Sequence, residues 1–235
     1  MPVDRPFVLR STRFSEVMAD EDLAVFMRVC PERPVPRGSS VFRAGDPASE
    51  MHVIAKGQVK VVVPTPEGDE RILAICGPDD FVGEAFIGEG ARYRADAIAL
   101  TDAVTCPISR QQFLRMALEA PRFVLGFTEI LADHLFECRQ QLANGFDAVI
   151  VRVAKVLLDQ AGRFGAPEDE AWVALETNLK HEDLGAMVSA TRVAVSMAIG
   201  ELRAAGLVLG SRGRYRIHVP ALSAMAESAG DRTGP

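Results

Sequence analysis

Arginine residues cluster in one segment near the C-terminal end of the sequence. Between Thr191 and Arg216 the chain carries five arginines against a single acid, Glu201, which gives the segment a local charge of +4. A guanidinium group can donate two hydrogen bonds to O6 and N7 of a guanine, and it also holds phosphate oxygens. The arginines are Arg192, Arg203, Arg212, Arg214 and Arg216. This chemistry predicts that the segment binds double-stranded DNA.

The charge of the whole chain has the opposite sign. The formal net charge of the 235 residues is −6, which argues against a protein that coats nucleic acid through bulk positive charge. With 48% apolar and 25% charged residues, the composition is that of a folded globular protein and excludes disordered and collagen-like classes. We therefore expect any DNA affinity to come from the local arginine cluster.

Two short helices with a tight turn between them are predicted around the first of these arginines. Helical spacing of apolar residues defines both, namely Leu184, Met187 and Val188 in the first helix and Val195, Ile199 and Leu202 in the second. Thr191 can cap the second helix by accepting a backbone N–H. Gly206 ends that helix, and alternation over residues 207–219 predicts a β-hairpin wing. This spacing is typical of a helix-turn-helix whose second helix enters the major groove.

A β-rich region precedes these helices, from Val35 to about Ser109. Short β-branched stretches are separated by turn signals about every eight to twelve residues, which predicts an antiparallel sandwich or barrel. The predicted strands are Met51–Ala55, Val59–Val63, Arg71–Ile75, Asp96–Leu100 and Ala103–Ile108. A helix within residues 15–33 is predicted to open the chain.

A long helix is predicted between Pro121 and about Phe146. Six of its residues follow one another at alternating steps of three and four. This spacing favours a seam, a line of side chains that pairs with the same helix of a second copy. The seam residues are Val124, Phe127, Leu131, His134, Cys138 and Gln141. The alternative is a helix packed on its own domain through Ile130, Leu135 and Leu142. The spacing of His134 and Cys138 can hold a metal, but their place on the seam predicts packing and no metal site.

The predicted elements divide an α+β chain into three parts. Residues 1–120 form a β-rich effector-sensing domain, residues 121–146 a dimerisation helix, and residues 147–235 a DNA-binding domain. Asp147 is predicted to cap the first helix of the last part. The sequence contains no GxSxG, P-loop, HExxH or paired Cys/His motif, so we expect no enzyme.

The cysteines and the N-terminus bear on the cellular location. Cys30, Cys76, Cys106 and Cys138 include no CxxC pair, and we expect reduced thiols. The N-terminus carries charges where a signal peptide needs an apolar core, and no run approaches the roughly 20 apolar residues of a membrane span. We therefore expect a cytoplasmic protein without membrane contact.

The order of these parts resembles the CRP/FNR family of bacterial transcription regulators over nearly the whole chain. The motifs that carry the resemblance are Gly45-Asp46-Pro47, KGQVKV at 56–61, GPDDFVGE at 77–84, RADA at 94–97, RVA at 152–154 with Leu157-Leu158, and the helix-turn-helix. The resemblance implies a cyclic-nucleotide-binding β-roll, a long dimerisation helix and a winged helix-turn-helix. It also implies a homodimer that binds a pseudo-palindromic DNA operator, with RNA polymerase as a further partner.

An effector site in the β-roll is implied by the same resemblance. In family members that bind cyclic AMP, a Gly-Glu pair contacts the ribose and an arginine about eleven residues later pairs with the cyclic phosphate. Gly83, Glu84 and Arg94 match this pattern, whereas Ala95 stands where a Ser or Thr often follows the arginine. Those members also contact the adenine through a Thr-Ser pair on the long helix, near which this chain has Glu137 and Cys138.

Three interpretations of this site stay open. It binds cyclic AMP or another cyclic nucleotide, it binds a different small anion, or it is empty and closed by an internal Glu84–Arg94 ion pair. In the last case the regulator acts without a ligand and is controlled by its expression level. An iron–sulfur cofactor is not expected, because that branch of the family needs clustered N-terminal cysteines and only Cys30 lies there.

The recognition helix departs from the family's common pattern of Arg, Glu and Arg. The corresponding residues here are Arg192, Val193 and Met197, and the Arg-Val start resembles the nitrogen-control branch of the family. Arg192 is expected to read a guanine and Val193 to meet a thymine methyl group, so the operator differs from the common TGTGA half-site. Phosphate contacts are expected from Lys180, Ser189, Thr191, Ser196, Arg212 and Arg214. The competing interpretation is a scaffolding module whose helix-turn-helix contacts protein.

Overall fold

Eight antiparallel strands follow one another from Arg33 to Ser109. They are β1 (Arg33–Val35), β2 (Ser40–Phe42), β3 (Glu50–Lys56), β4 (Val59–Pro64), β5 (Glu70–Cys76), β6 (Phe81–Val82), β7 (Asp96–Ala99) and β8 (Ala103–Ser109). The computed structural model, which describes residues 21, 25–26, 30–66, 68–145, 147–211 and 213–230, arranges them in two sheets of order β1-β8-β3-β6 and β2-β7-β4-β5. The five predicted strands are confirmed. The strands β1, β2 and β6 are two or three residues long, which is too short to show a period of two.

Two helices follow the sheets, α1 (Arg110–Glu119) and α2 (Pro121–Asn144). Ser109 begins α1 with a capping box, in which its hydroxyl accepts from the N–H of Gln112 and the Gln112 side chain accepts from the N–H of Ser109. The contacts of the chain divide it into two compact units, Met1–Glu137 and Cys138–Pro235. The greater part of the N-terminal helix predicted over 15–33 lies outside the described residues.

The core of the first unit contains an aromatic cluster contributed by the sheets and both helices. Phe127 of α2 stacks on Phe81 with ring centroids 4.5 Å apart, and its ring edge meets Phe113 at 5.1 Å. Phe127 is only 3% exposed, so its predicted place on a dimer seam is wrong. His134 also turns inward, with its ring centroid 5.3 Å from that of Phe81. The three-and-four spacing of α2 therefore serves its own domain at Phe127 and His134. Of the residues named for the alternative packing, Ile130 is buried, whereas Leu135 and Leu142 are exposed and the alternative is wrong for them.

Two of the four cysteines are paired within the first unit. Cys30, just before β1, is joined to Cys106 of β8 by a disulfide, with their Cα atoms 5.2 Å apart. Cys76 is a buried free thiol and Cys138 an exposed one. The expectation of four reduced thiols is therefore wrong for Cys30 and Cys106. Their separation of 76 residues along the chain gave no spacing signal.

The second unit is a helical domain with a small sheet. Its elements are α3 (Val149–Phe164), β9 (Ala166–Pro167), β10 (Trp172–Glu176), α4 (His181–Val188), α5 (Arg192–Ala204), β11 (Val208–Ser211), β12 (Arg214–His218) and α6 (Val219–Gly230). The sheet has the antiparallel order β11-β12-β10-β9, so the predicted hairpin is confirmed and gains a third strand from β10. Within the described residues, no helix of the chain is long and apolar enough to cross a membrane.

The predicted N-cap of α3 is wrong by one residue. Ala148 occupies the cap position without a side-chain hydrogen bond, and the carboxylate of Asp147 instead accepts from the Lys155 ammonium at 2.8 Å. Asp147 therefore stabilises the first two turns of α3 through an ion pair. Apolar residues on the inner face of α3, including Val153, Ala154 and Leu157, are fully buried in the domain core.

Candidate DNA-binding surface and effector site

The turn between α4 and α5 is fixed by one glycine and one cap. A Cβ atom at Gly185 would lie 2.5 Å from the carbonyl oxygen of Ala190, so only glycine permits this close crossing. Ser189 ends α4 in the left-handed region at φ 53°. The hydroxyl of Thr191 accepts from the N–H of Ala194 at 3.2 Å, which confirms Thr191 as the N-cap of α5.

Helix α5 has one buried face and one exposed face. Val195, Ala198, Ile199 and Leu202 are at most 4% exposed and hold the helix in the domain core. On the opposite face, Val193 is 68% exposed and Met197, one turn later, is 62% exposed. The Arg192 side chain, at the start of the same face, is 70% exposed. The arrangement presents a guanidinium and two large apolar side chains together to solvent.

Glutamates from other elements meet three of the clustered cationic side chains. Arg192 Nη1 lies 3.8 Å from Glu182 Oε1 of α4, Arg214 Nε lies 3.7 Å from Glu176 Oε1 of β10, and Arg216 Nε lies 2.6 Å from Glu168 Oε2. The local charge of +4 in the sequence segment is thus partly offset in space. Exposed pairs of this kind contribute about 0–1 kcal/mol each, so phosphate groups can compete for the arginines.

The remaining predicted DNA contacts are distributed around the turn. Lys180 is exposed immediately before α4, and its backbone N–H donates to Asp183 Oδ2 at 2.8 Å. Ser189, Thr191 and Ser196 are exposed at the turn and on α5. Arg214 begins β12 of the wing, whereas Arg212 lies outside the described residues. Except for Arg212, the predicted phosphate ligands therefore belong to α4, α5, the turn between them and the wing.

Two of the predicted effector residues, Gly83 and Glu84, lie at the start of a short 3-10 helix, Glu84–Ile87, that follows β6. Gly83 begins it at φ 91°, and a Cβ atom there would lie 3.1 Å from the carbonyl oxygen of Glu50 and from the rings of Phe42 and Tyr93. The left-handed backbone favours glycine, and a Cβ atom would force these neighbours to shift by a few tenths of an ångström. Those two rings stack with centroids 3.9 Å apart, and the Tyr93 hydroxyl donates to Glu50 O at 2.6 Å.

Glu84 and Arg94 are both exposed, and Ala95 is half-buried. Among the residues that the structure describes, the side chains of Glu84 and Arg94 form no hydrogen bond or ion pair, so the internal pair that would close an empty site is not formed. The next strand is anchored independently, because Asp96 Oδ1 accepts from the N–H of Ala44 at 2.7 Å. Both charged groups are therefore free to meet a ligand.

One buried and one half-buried titratable group, His52 and Asp79, lie in β3 and in the turn before β6, close in sequence or pairing to Gly83. Burial, helped by the positive charge of Arg33, lowers the pKa of His52 to about 4, and its Nδ1 lies 3.4 Å from the Thr105 hydroxyl. Partial burial and the neighbouring Asp80 carboxylate raise the pKa of Asp79 to about 7. His52 is therefore neutral at physiological pH, whereas the pKa of Asp79 lies near physiological pH.

Comparison with known proteins identifies the lineage of the chain. Residues 32–119 match the cyclic nucleotide-binding domain and residues 151–228 match the Crp-like helix-turn-helix domain. The CRP-like cAMP-activated global transcriptional regulator of Mycobacterium tuberculosis is 30% identical over 174 residues, which cover 74% of this chain and 77% of that protein. The chain belongs to the CRP/FNR family. It is a DNA-binding transcription regulator of this type, as the sequence resemblance predicted.

Further relatives of this CRP/FNR regulator span most of its length. The cyclic AMP receptor protein of Thermus thermophilus is 26% identical over 207 residues, which cover 87% of this chain and 92% of that protein. The fold is shared with FixK2 from Bradyrhizobium japonicum, at a TM-score of 0.72 and 20% identity over 83% of this chain and 96% of that one. The α+β architecture of an antiparallel β domain followed by a helix-turn-helix domain is thereby confirmed.

Some residues of the regulator were missed or placed differently by the sequence. Glu137 is half-buried on α2 and Cys138 is an exposed thiol, and their contact with an effector stays a prediction. His181, which no sequence motif singled out, contacts both Ser196 and Tyr215 through its two ring nitrogens. The partners of His181 are 15 and 34 residues away, so local spacing carries no signal for them.

Proposed function

We propose that this regulator binds a two-fold symmetric operator as a homodimer, with Arg192 reading a guanine and Val193 contacting a thymine methyl group in each half-site. The observation that carries the proposal is the exposed face of α5, where a charged and an apolar side chain adjoin while the opposite face is buried. Guanidinium suits O6 and N7 of guanine, and apolar side chains suit the thymine C5-methyl group. Met197 extends the apolar surface by one turn.

Selection of duplexes from a random pool, followed by sequencing, tests this readout. We expect an inverted repeat whose half-sites contain guanine and thymine but differ from TGTGA, and recovery of plain TGTGA half-sites would refute the altered specificity. Arg192→Ala should weaken binding to the selected operator by about 1–3 kcal/mol. The same variant should leave binding to unrelated duplexes within a few-fold of wild type.

Phosphate contacts accompany base reading in the proposed complex. We assign them to Lys180, Ser189, Thr191, Arg212 and Arg214, and each charged contact should appear in the salt dependence of binding. A steep fall of affinity with salt favours this function over a scaffolding module that binds protein. We further propose that the operator-bound dimer acts on RNA polymerase, which transcription from a template carrying the selected operator tests.

The proposed dimer forms through the exposed apolar positions of α2. Leu131, Leu135, Cys138 and Leu142 follow one another at steps of four, three and four, and the three leucines are 37%, 52% and 75% exposed. This spacing is that of a coiled-coil seam. We therefore keep the division into a sensing domain (1–120), a dimerisation helix (121–146) and a DNA-binding domain (147–235), with the seam moved from Phe127 toward Leu135.

Cyclic AMP is the effector that we propose for the β-roll. The supporting observation is that Glu84, directly after Gly83, and Arg94, eleven residues after Gly83, have exposed side chains without a partner within the described residues. A carboxylate accepts from a ribose hydroxyl and a guanidinium holds a cyclic phosphate. The relatives from M. tuberculosis and T. thermophilus are named for cyclic AMP. Ala95, Glu137 and Cys138 would then flank the ligand, Glu137 and Cys138 from the dimerisation helix.

Calorimetric titration of the full-length protein with cyclic AMP and cyclic GMP tests the effector. Glu84→Ala and Arg94→Ala should each abolish the binding of cyclic AMP, whereas Arg43→Ala, which removes an exposed arginine of the same unit, should not. Heat of binding that persists in both pocket variants would refute the assigned site. Absence of binding by the wild-type protein to both nucleotides would refute the effector while leaving operator binding intact.

A further inference from the structure

The imidazole of His181 joins three elements of the DNA-binding domain. His181 is the first residue of α4, and its Nδ1 lies 2.8 Å from the hydroxyl oxygen of Ser196 on α5. Its Nε2 lies 3.2 Å from the hydroxyl oxygen of Tyr215 on β12. One side chain thus connects the first helix, the recognition helix and the wing strand.

The hydrogen-bond directions in this chain of groups follow from the Ser196 hydroxyl. That hydroxyl donates its single proton to the carbonyl oxygen of Arg192 at 2.9 Å, so it can only accept from His181. Nδ1 must therefore carry the imidazole proton, and in the neutral ring Nε2 accepts from the Tyr215 O–H. Burial raises the pKa of Tyr215, which keeps its hydroxyl protonated as a donor. All three groups are then satisfied with the neutral Nδ1–H tautomer.

We propose that His181 is a positioning residue that sets the orientation of the recognition helix relative to the wing, and thereby the specificity of DNA binding. The inference rests on the proposed function, because it assumes that α5 reads bases. Ser196 acts through His181 in this account, and its hydroxyl is not the free phosphate ligand that the sequence predicted.

The two hydrogen bonds of His181, to Ser196 and to Tyr215, form a bridge between α5 and β12. The position of this bridge explains why its loss should change the specificity of DNA binding. Ser196 bonds to the carbonyl of Arg192, so the bridge holds the helical turn that carries the proposed guanine reader. The buried face of α5 already anchors the helix through Val195, Ala198, Ile199 and Leu202, which a loss of the bridge leaves in place. A rotation of about 10° moves a side chain that lies about 6 Å from the helix axis by about 1 Å, enough to misalign a base contact.

Three substitutions at His181 separate the two bonds. In His181→Asn the amide nitrogen reaches the place of Nδ1 and keeps the bond to Ser196, whereas in His181→Gln the longer amide reaches the place of Nε2 and keeps the bond to Tyr215. His181→Ala loses both. Tyr215→Phe removes only the hydroxyl of a buried ring. Ser228→Ala is the control away from His181, because it removes a hydroxyl that donates to a carbonyl of its own helix, that of Met225 at 3.1 Å.

The test measures the affinity of each full-length variant for the selected operator and for an unrelated duplex, together with urea unfolding. We expect His181→Ala to bind the operator about tenfold more weakly with unchanged affinity for the unrelated duplex. Asn and Gln should each restore part of the loss, and Ser228→Ala should match wild type. Nitrogen-15 NMR of the wild-type imidazole should show the Nδ1–H tautomer.

Several results would overturn the proposal. Unchanged operator affinity in His181→Ala, an equal loss on both duplexes, failure of both amides to restore binding, or an Nε2–H tautomer would each contradict it. The proposed function fails separately, if the wild-type protein itself does not discriminate the operator from the unrelated duplex. If wild type and His181→Ala both discriminate the operator from the unrelated duplex, and do so equally well, the positioning role alone is refuted.

Discussion

Removal of the Glu182 carboxylate should strengthen DNA binding. Glu182 Oε1 lies 3.8 Å from Arg192 Nη1, so the carboxylate competes with DNA for the side chain that we expect to read a guanine. Glu182→Gln keeps the size of the side chain and one acceptor oxygen but removes its charge. Glu201→Gln is the matched control, because Glu201 is an exposed acid of α5 that forms no ion pair within the described residues.

The size of the effect follows from the distance and the exposure of the pair. Two unit charges 3.8 Å apart attract by about 1.1 kcal/mol in water. Because the two side chains are 70% and 63% exposed, the entropy of holding them together reduces the net contribution to about 0.5 kcal/mol. A dimer releases two such pairs, about 1 kcal/mol in total, which corresponds to about a fivefold gain in affinity.

Fluorescence anisotropy with a labelled operator at low and moderate salt measures this gain. We expect Glu182→Gln to bind about fivefold more tightly than wild type at low salt, with a smaller difference as salt rises, because exposed pairs are screened. Glu201→Gln changes the net charge by the same amount and should stay within about twofold of wild type. Equal gains in both variants would show a general charge effect, and weaker binding by Glu182→Gln would show that Glu182 supports Arg192; either result refutes competition.

Four further outcomes are expected. Replacement of the contacted thymine by uracil should weaken operator binding by about 0.8 kcal/mol per half-site, measured by competition binding. The Val193→Ala variant should bind the thymine and uracil operators with nearly equal affinity. The pKa of His52 is about 4 in the folded chain and 6.5 in the unfolded chain, so the neutral imidazole contributes stability that is present above pH 6.5 and lost as pH falls toward 4. Urea titrations across this range should therefore show that wild type loses about 3 kcal/mol of unfolding free energy, a loss that His52→Asn lacks. Asp79 has a folded-state pKa raised to about 7, so its contribution is present below pH 3.8 and lost as pH rises through 7, and Asp79→Asn should remove this opposite slope in the same titrations. Leu135→Glu should convert the dimer to a monomer in sedimentation velocity with the thermal unfolding of the domains unchanged, whereas a dimer that persists would refute the seam.

Local patterns in the sequence predicted those elements whose residues interact with near neighbours. The cap at Thr191 joins residues three apart, and the wing joins strands separated by a short turn, so both are visible as spacing. The same holds for the alternating strands of the first unit. The glycine at position 83 was singled out by its motif, and its left-handed backbone gives the physical reason for it.

Contacts between distant parts of the chain were not visible in the sequence. The three-and-four spacing of α2 cannot tell a face that packs on its own sheet from one that meets a partner, and Phe127 proved to be buried in its own domain. Likewise, a charge sum over one segment omits Glu168, which reaches Arg216 across 48 positions. The pairing of Cys30 with Cys106 and the bridge through His181 are long-range for the same reason.

The two faces of α5 separate what holds the domain together from what selects its target. Val193 and Met197 contribute little to the core, so in the proposed complex substitutions there would change the bases that are recognised at small cost in folding stability. A substitution at Val195 or Leu202, which are buried, would disrupt the fold before it altered the operator. Operator preference can therefore drift through single mutations in duplicated copies of such a regulator, while the scaffold that presents it stays the same.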